Sequence, residues 1–175
     1  MKGIVVYKSK YGSTKTYATW ISEALEFDLY DAKNVSLKNL LEYDSIVYGG
    51  GLYAEVINGV HLITKNIDAL EGKKIAIFST GITPLDCREY YDKYVVDKNF
   101  RNEKTKKLKV FNFMGKMLLS ELTLVHKTAL AGLKKIMLSK ENPTALEKML
   151  IELCDADGDF SDKKSIDELV EYMKE

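Results

Sequence analysis

The chain has 175 residues, with 26 Lys plus Arg against 26 Asp plus Glu, so its formal net charge is zero. That length suits one domain with a substantial core, and 46% hydrophobic with 30% charged residues describes a globular protein. The balance of charge excludes any global electrostatic argument for nucleic acid, and equally for an acidic carrier that docks on basic partners.

No apolar run is long enough to span a bilayer, and the N-terminus leads straight into a strand pattern without the features of a secretion signal. Cys87 and Cys154 lie far apart, with no metal-ligand spacing, so a cytoplasmic protein with reduced thiols is expected and no metal. Two prolines and no Gly/Ser-rich linker argue for a single domain over residues 1–175.

Ile4, Val5, Val6 and Tyr7 form an apolar, β-branched run that predicts a buried strand. It stops at the polar loop Lys8-Ser9-Lys10-Tyr11-Gly12-Ser13-Thr14. A helical pattern starts at once, with Tyr17, Ala18, Ile21, Ala24 and Leu25 on one side. Strand, hydroxyl- and glycine-bearing loop, helix: that order brings free backbone N–H groups and a positive helix end to one point, where an anion such as phosphate is welcome. The Walker A pattern is absent, and one glycine does not make a dinucleotide fingerprint. Two readings stay open: a phosphate loop built on the hydroxyls of Ser9, Ser13 and Thr14, or a plain turn capped by Ser13 or Thr14.

Residues Phe27 to Asp31 predict a short strand, and Leu37, Leu40 and Leu41 a short helix capped by Ser36. Ser45-Ile46-Val47-Tyr48 is a second buried strand. It runs into Gly49-Gly50-Gly51-Leu52-Tyr53, where three glycines allow a sharp turn and close approach to a ligand. Leu62, Ile63, Ile67 and Leu70 have helical spacing, and Gly72 ends that helix. Lys74 to Phe78 is the next strand, followed by the small hydroxyl and glycine loop Ser79-Thr80-Gly81-Ile82-Thr83-Pro84. A helix through Glu89, Tyr90, Tyr91 and Tyr94 follows. The basic stretch from Asp97 to Lys109 reads as a solvated surface, and Leu108 to Phe113 is the fifth strand.

Alternating strands and helices, with strands apolar on both faces, imply a parallel sheet covered on each side. Ligands in such sheets bind beyond the carboxyl ends of the strands, where strand order reverses. The three loops fall on that edge. Hydroxyls in the first and third, with Tyr53 on the second, point to a phosphorylated aromatic cofactor.

These loops resemble the flavodoxin-like family. Ser9 to Thr14 looks like its FMN phosphate loop, with Tyr11 in place of the usual small hydroxyl residue. Tyr43 to Tyr53 resembles its third strand and second flavin loop, with Tyr53 where an aromatic often stacks on the isoalloxazine. Ser79 to Ile82 falls on the third flavin loop, with Ile82 where many electron carriers of the family have an acidic residue. The resemblance covers roughly residues 1–113 and the final helix. It implies a doubly wound five-stranded parallel sheet in the order 2-1-3-4-5, and FMN as cofactor. The binding residues it implies are Ser9, Lys10, Tyr11, Gly12, Ser13, Thr14, Gly50, Gly51, Leu52, Tyr53, Ala54, Ser79, Thr80, Gly81 and Ile82. No residue is singled out as catalytic, since the flavin carries the chemistry.

Within the family the chain resembles the branch that includes menaquinone-dependent protoporphyrinogen oxidase. Lys10 followed by Tyr11, the long segment Met114 to Leu153, and Gly158-Asp159-Phe160-Ser161-Asp162 before the last helix carry that likeness. It implies an oxidoreductase passing electrons between a reduced donor and a quinone-like or porphyrinogen-like partner. The alternatives are an electron carrier serving redox partner proteins, and a scaffold that has lost its cofactor.

Met114 to Leu138 has helical periodicity, with Leu118, Leu122, Val125, Ala129 and Ile136 on one face. Met117, Leu124, Leu130, Leu133 and Met137 widen it, and Lys116, Glu121, Lys127, Lys134 and Lys135 lie opposite. Such a face packs on the sheet or on a second subunit; the sharper reading is a membrane-facing or quinone-facing surface. His126 beside it reads as a surface or core-edge histidine, and His61 has no assigned partner. In Asp155-Ala156-Asp157-Gly158-Asp159 the glycine comes one place too early for a calcium loop, and Ile166 stands where the bidentate glutamate belongs.

Overall fold

A computed structural model describes residues 2–175. Five strands form the main sheet: β1 (Gly3–Lys8), β2 (Asp28–Asp31), β3 (Ser45–Tyr53), β4 (Lys74–Gly81) and β5 (Lys109–Met114). Their spatial order is β2-β1-β3-β4-β5 and every neighbouring pair is parallel, as the sequence predicts. A two-residue strand, Val56–Ile57, turns back antiparallel on the end of β3.

The strands alternate their side chains between two cores. Ile4, Val6, Ile46, Tyr48, Ile75 and Ile77 pack to one side, with Leu40, Ile63 and Leu70 above them. Val5, Val47, Ala76, Phe78, Phe111 and Phe113 face the other side. There they meet Tyr17, Ala18 and Ile21 of the first helix, α1 (Ser13–Leu25), and Leu169 and Met173 of the last. Burial on both faces is why these strands read as apolar runs.

After β1 the chain moves outward to β2 and then crosses back to β3 on the other side of β1. The crevice between the carboxyl ends of β1 and β3 is therefore the switch point of the sheet.

Several expectations need correction. Gly49, Gly50 and Gly51 do not turn: they lie inside β3, paired with Tyr7 and Lys8 of β1 and with Phe78, Ser79 and Thr80 of β4. Ser79, Thr80 and Gly81 likewise belong to β4, so the third loop starts at Ile82. At Gly49 the reason for glycine is close packing, because a Cβ there would lie 2.0 Å from the Phe78 ring.

The helix expected from Leu62 to Leu70 is one turn, His61–Thr64, followed by irregular turns. Asn66 uses its side-chain amide to donate to the Leu62 carbonyl, a local bond that competes with helix continuation. Around Tyr90 the helix is wide-turned, Tyr90–Val95, before tightening at Val96–Asn99.

The expected helix from Met114 to Leu138 begins only at Leu124. The chain leaves β5, makes a short strand at Lys116–Met117, turns, and then forms α2 (Leu124–Leu138) and α3 (Ala145–Leu153). It returns through Gly158–Asp159, which pairs antiparallel with Lys116–Met117, and enters α4 (Asp167–Lys174). The Tyr17 hydroxyl holds both ends of this excursion. It donates to the Met114 carbonyl at 2.7 Å and accepts from the Asp162 N–H at 3.0 Å. Thr123 caps α2 and Thr144 caps α3, the latter in a capping box with Glu147. Among the described residues, no helix is long and apolar enough to cross a membrane.

Candidate functional site

At the carboxyl ends of β1, β3 and β4 lies a cavity of about 470 Å³. Its polar end is the loop between β1 and α1. Gly12 takes φ +99°, a backbone conformation that side chains rarely tolerate, and so lets the chain enter the helix abruptly. The Ser9 Oγ accepts the Gly12 N–H at 3.1 Å, and the Ser13 Oγ accepts the Lys116 N–H at 2.9 Å. Both hydroxyls act as acceptors in these bonds, so each keeps its own proton to donate elsewhere. The buried Thr14 Oγ1 lies 2.7 Å from the Thr80 Oγ1, tying the first loop to the end of β4. The first turn of α1 adds backbone N–H groups that its own helix cannot satisfy.

The other end of the cavity is aromatic and apolar. Tyr53 ends β3, and Ala54 and Glu55 then make the tight turn to Val56 with φ +47° and +62°. Two positive φ values suit the hairpin twist, but neither residue is the Asn or Gly that accepts them easily. They cost ~1 kcal/mol or more each, so neighbours must hold the turn. Lys98 donates to the Ala54 carbonyl and pairs with Glu55. The buried Asn99 accepts the Ile57 N–H at 2.9 Å and donates to the carbonyls of Glu55 and Val95, both at 2.7 Å. Asn99→Ala should therefore cost about 2 kcal/mol of stability and speed amide exchange at Ile57. Unchanged exchange there would show that the turn holds itself.

The structure brings most of the sequence-predicted site residues to one place. Ser9, Lys10, Tyr11, Ser13 and Thr14 from the first loop line the cavity. So do Gly51, Leu52, Tyr53 and Ala54 from the end of β3, and Thr80, Gly81 and Ile82 from the end of β4. Gly12, Gly50 and Ser79 are not among the lining residues. Gly12 forms the turn behind the hydroxyls, and Gly50 lies in the strand, where a Cβ would meet the Asn58 carbonyl oxygen at 2.5 Å. Ser79 is buried and donates to Asn112 Oδ1 at 2.6 Å, linking β4 to β5.

The excursion after β5 supplies the rest of the wall, which sequence reasoning did not assign. Lys116, Met117 and Leu118 line it before α2, and His126, Leu130 and Leu133 from α2. Val125 and Ile136, grouped by periodicity with the packed face, instead point to solvent and are 74% and 63% exposed. Leu124 and Leu138 are exposed as well.

His126, read from sequence as a surface or core-edge histidine, is half-buried at the edge of the cavity. Its Nδ1 lies 2.7 Å from the Tyr11 hydroxyl, and its ring is tilted against Tyr53 with centroids 5.2 Å apart. Desolvation and then the charge of Lys10 lower its pKa. The Tyr11 hydroxyl in turn accepts the Thr123 N–H at 3.2 Å, at the start of α2. Tyr11 thus fastens the first loop to α2. Burial, and then the nearby Tyr11, push the Tyr53 phenol up to about 12, so it stays neutral.

The carboxylates of Asp155, Asp157 and Asp159 are all engaged by protein groups. Asp155 pairs with Lys134, Asp157 accepts the Leu119 N–H, and Asp159 accepts the Ser161 N–H.

The sequence from residue 4 to 145 matches the family model described as a flavodoxin domain. No curated protein matches the sequence. Among solved structures, an archaeal flavodoxin is 18% identical, with all of both chains covered and a TM-score of 0.47. Oxidised flavodoxin 1 from Bacillus cereus is 20% identical over 65% of this chain and 84% of its own, with a TM-score of 0.49. The Fusobacterium nucleatum flavodoxin bound to flavin mononucleotide is 17% identical over 66% of this chain and 72% of its own, with a TM-score of 0.40.

Proposed function

The chain belongs to the flavodoxin domain family, and from that premise we propose that it is an FMN-binding redox protein. One observation carries the reading: a single cavity joins a hydroxyl-lined helix start to an aromatic wall. A phosphate and a planar ring on one ligand need those two ends together. The residues present fit FMN by the chemistry of the donor set, since Ser9 and Ser13 have protons to spare.

In this reading Ser9, Ser13 and Thr14, with the first N–H groups of α1, hold the phosphate. Lys10 contributes positive charge at the rim. Tyr53, neutral at ordinary pH, faces the ring, and backbone groups of Gly51 to Ala54 and of Gly81 to Ile82 border its polar edge. Bound there, FMN supplies reversible electron transfer, which the protein's own side chains cannot. Leu130 and Leu133 exclude water from the ring's apolar side.

For the partner, we favour an oxidoreductase passing electrons between a reduced donor and a quinone-like or porphyrinogen-like partner. The apolar wall formed by Met117, Leu118, Leu130 and Leu133 supports an apolar small molecule over a charged protein surface at this edge. The second reading, an electron carrier serving redox partner proteins, rests on membership of the flavodoxin domain family.

The visible spectrum of the purified protein, with a fluorescence titration of added FMN, tests the cofactor. Flavin absorbance or tight quenching is expected; a colourless protein that leaves FMN fluorescence unchanged defeats the reading. Turnover with quinones then separates the two partners, because stoichiometric reduction without turnover would leave only the carrier.

A further inference from the structure

Resting on the FMN reading, we propose that Lys116 is a phosphate ligand supplied by the excursion, and that it makes the site select phosphorylated over unphosphorylated flavin. Lys116 lies two residues beyond β5, in the short strand paired with Gly158–Asp159. Two backbone bonds fix its position: the Gly115 N–H donates to the Gly81 carbonyl at 2.7 Å, and the Lys116 N–H donates to Ser13 Oγ at 2.9 Å. The second bond places its Cα against the first turn of α1.

Its side chain then reaches back over Gly12. A Cβ on Gly12 would lie 3.5 Å from the Lys116 Cε and 3.7 Å from its Nζ. The ammonium therefore sits beside the turn that the hydroxyls of Ser9 and Ser13 flank, and it lines the same cavity. Lys10 is differently placed, with its Nζ 5.6 Å from the centroid of the Tyr11 ring.

Lys116 has an anionic partner, Glu121, at 3.3 Å. The two side chains are 26% and 47% exposed, and so open a pair is weak. Asp159 on the paired strand is the other nearby acid. Its hydrogen bond from Ser161 holds its carboxyl below the usual range, with the charge of Lys116 contributing. A phosphate carrying up to two negative charges, hydrogen-bonded by the loop, competes well for the same ammonium. Riboflavin has no such group and gains nothing from Lys116.

The alternative is that Lys116 merely latches the excursion through Glu121. Titrations of the full-length protein with FMN and with riboflavin, read by flavin fluorescence, separate the two. Lys116→Met keeps the chain length and the backbone bond to Ser13. It is expected to weaken FMN about 10-fold or more and leave riboflavin unchanged, while Lys116→Arg restores most of the FMN affinity. Equal weakening of both flavins, or unchanged FMN affinity, would overturn the assignment. A wild-type protein that quenches neither flavin would refute FMN binding itself, which is a different outcome from an unaltered ratio in a protein that binds.

Discussion

Gly49→Ala is expected to remove about 3 kcal/mol of stability, the upper range for overpacking a core. The added methyl would overlap the Phe78 ring, at 2.0 Å from its nearest atom. That ring is fully buried and cannot swing to solvent. On its other side stands Phe113, with centroids 5.6 Å apart, and Phe113 is itself stacked on Tyr17 at 4.8 Å. The strain therefore passes through three rings to the hydroxyl of Tyr17. Urea denaturation reads the loss directly. In a double-mutant cycle, Phe78→Leu should cost less in the Gly49→Ala background than in the wild type. A Gly49→Ala midpoint equal to the wild type would show that the ring has room.

The second large effect is on cofactor affinity. Ser9→Ala combined with Ser13→Ala should weaken FMN roughly 100-fold or more, because each hydroxyl lost to a charged phosphate is worth about 1.5–3 kcal/mol. Riboflavin binding, which lacks the phosphate, should barely change. Thr14→Val is a poorer probe, because it would orphan the buried Thr80 hydroxyl and mix stability with affinity. FMN titration of the double variant, with thermal unfolding as a control for the fold, decides the matter. Unchanged FMN affinity would place the phosphate elsewhere.

Much of this was legible in the sequence, for reasons that differ by element. β1, β3 and β4 were readable because burial on both faces demands unbroken apolar runs. The first loop was readable because its hydroxyls and glycine are local to one turn. Gly49 to Gly51 were not: three residues without a Cβ look like a turn, and only their neighbours in the fold, Phe78 against Gly49 and Asn58 against Gly50, show that they make room within a strand. His126 was hidden for a similar reason, since its contact with Tyr11 spans 115 residues. Periodicity told that α2 has an apolar side but not which side is covered, so Val125 and Ile136 were grouped with Ala129. The hairpin at Ala54 carried no turn signal at all, because Asn99, not its own residues, holds it.

One hydroxyl, that of Tyr17, holds both Met114 and Asp162. Closure of the chain at this hydroxyl, together with the pairing of Lys116–Met117 and Gly158–Asp159, makes the stretch between them nearly indifferent to its own length. In a closed loop the entropic penalty grows only with the logarithm of length, about 0.6 kcal/mol per doubling. A change in the length of this stretch is thus expected to leave the strand register untouched, while it alters one wall of the cavity. The sheet behaves as a fixed chassis and the excursion as an exchangeable part, and Tyr17 is the fastening between them.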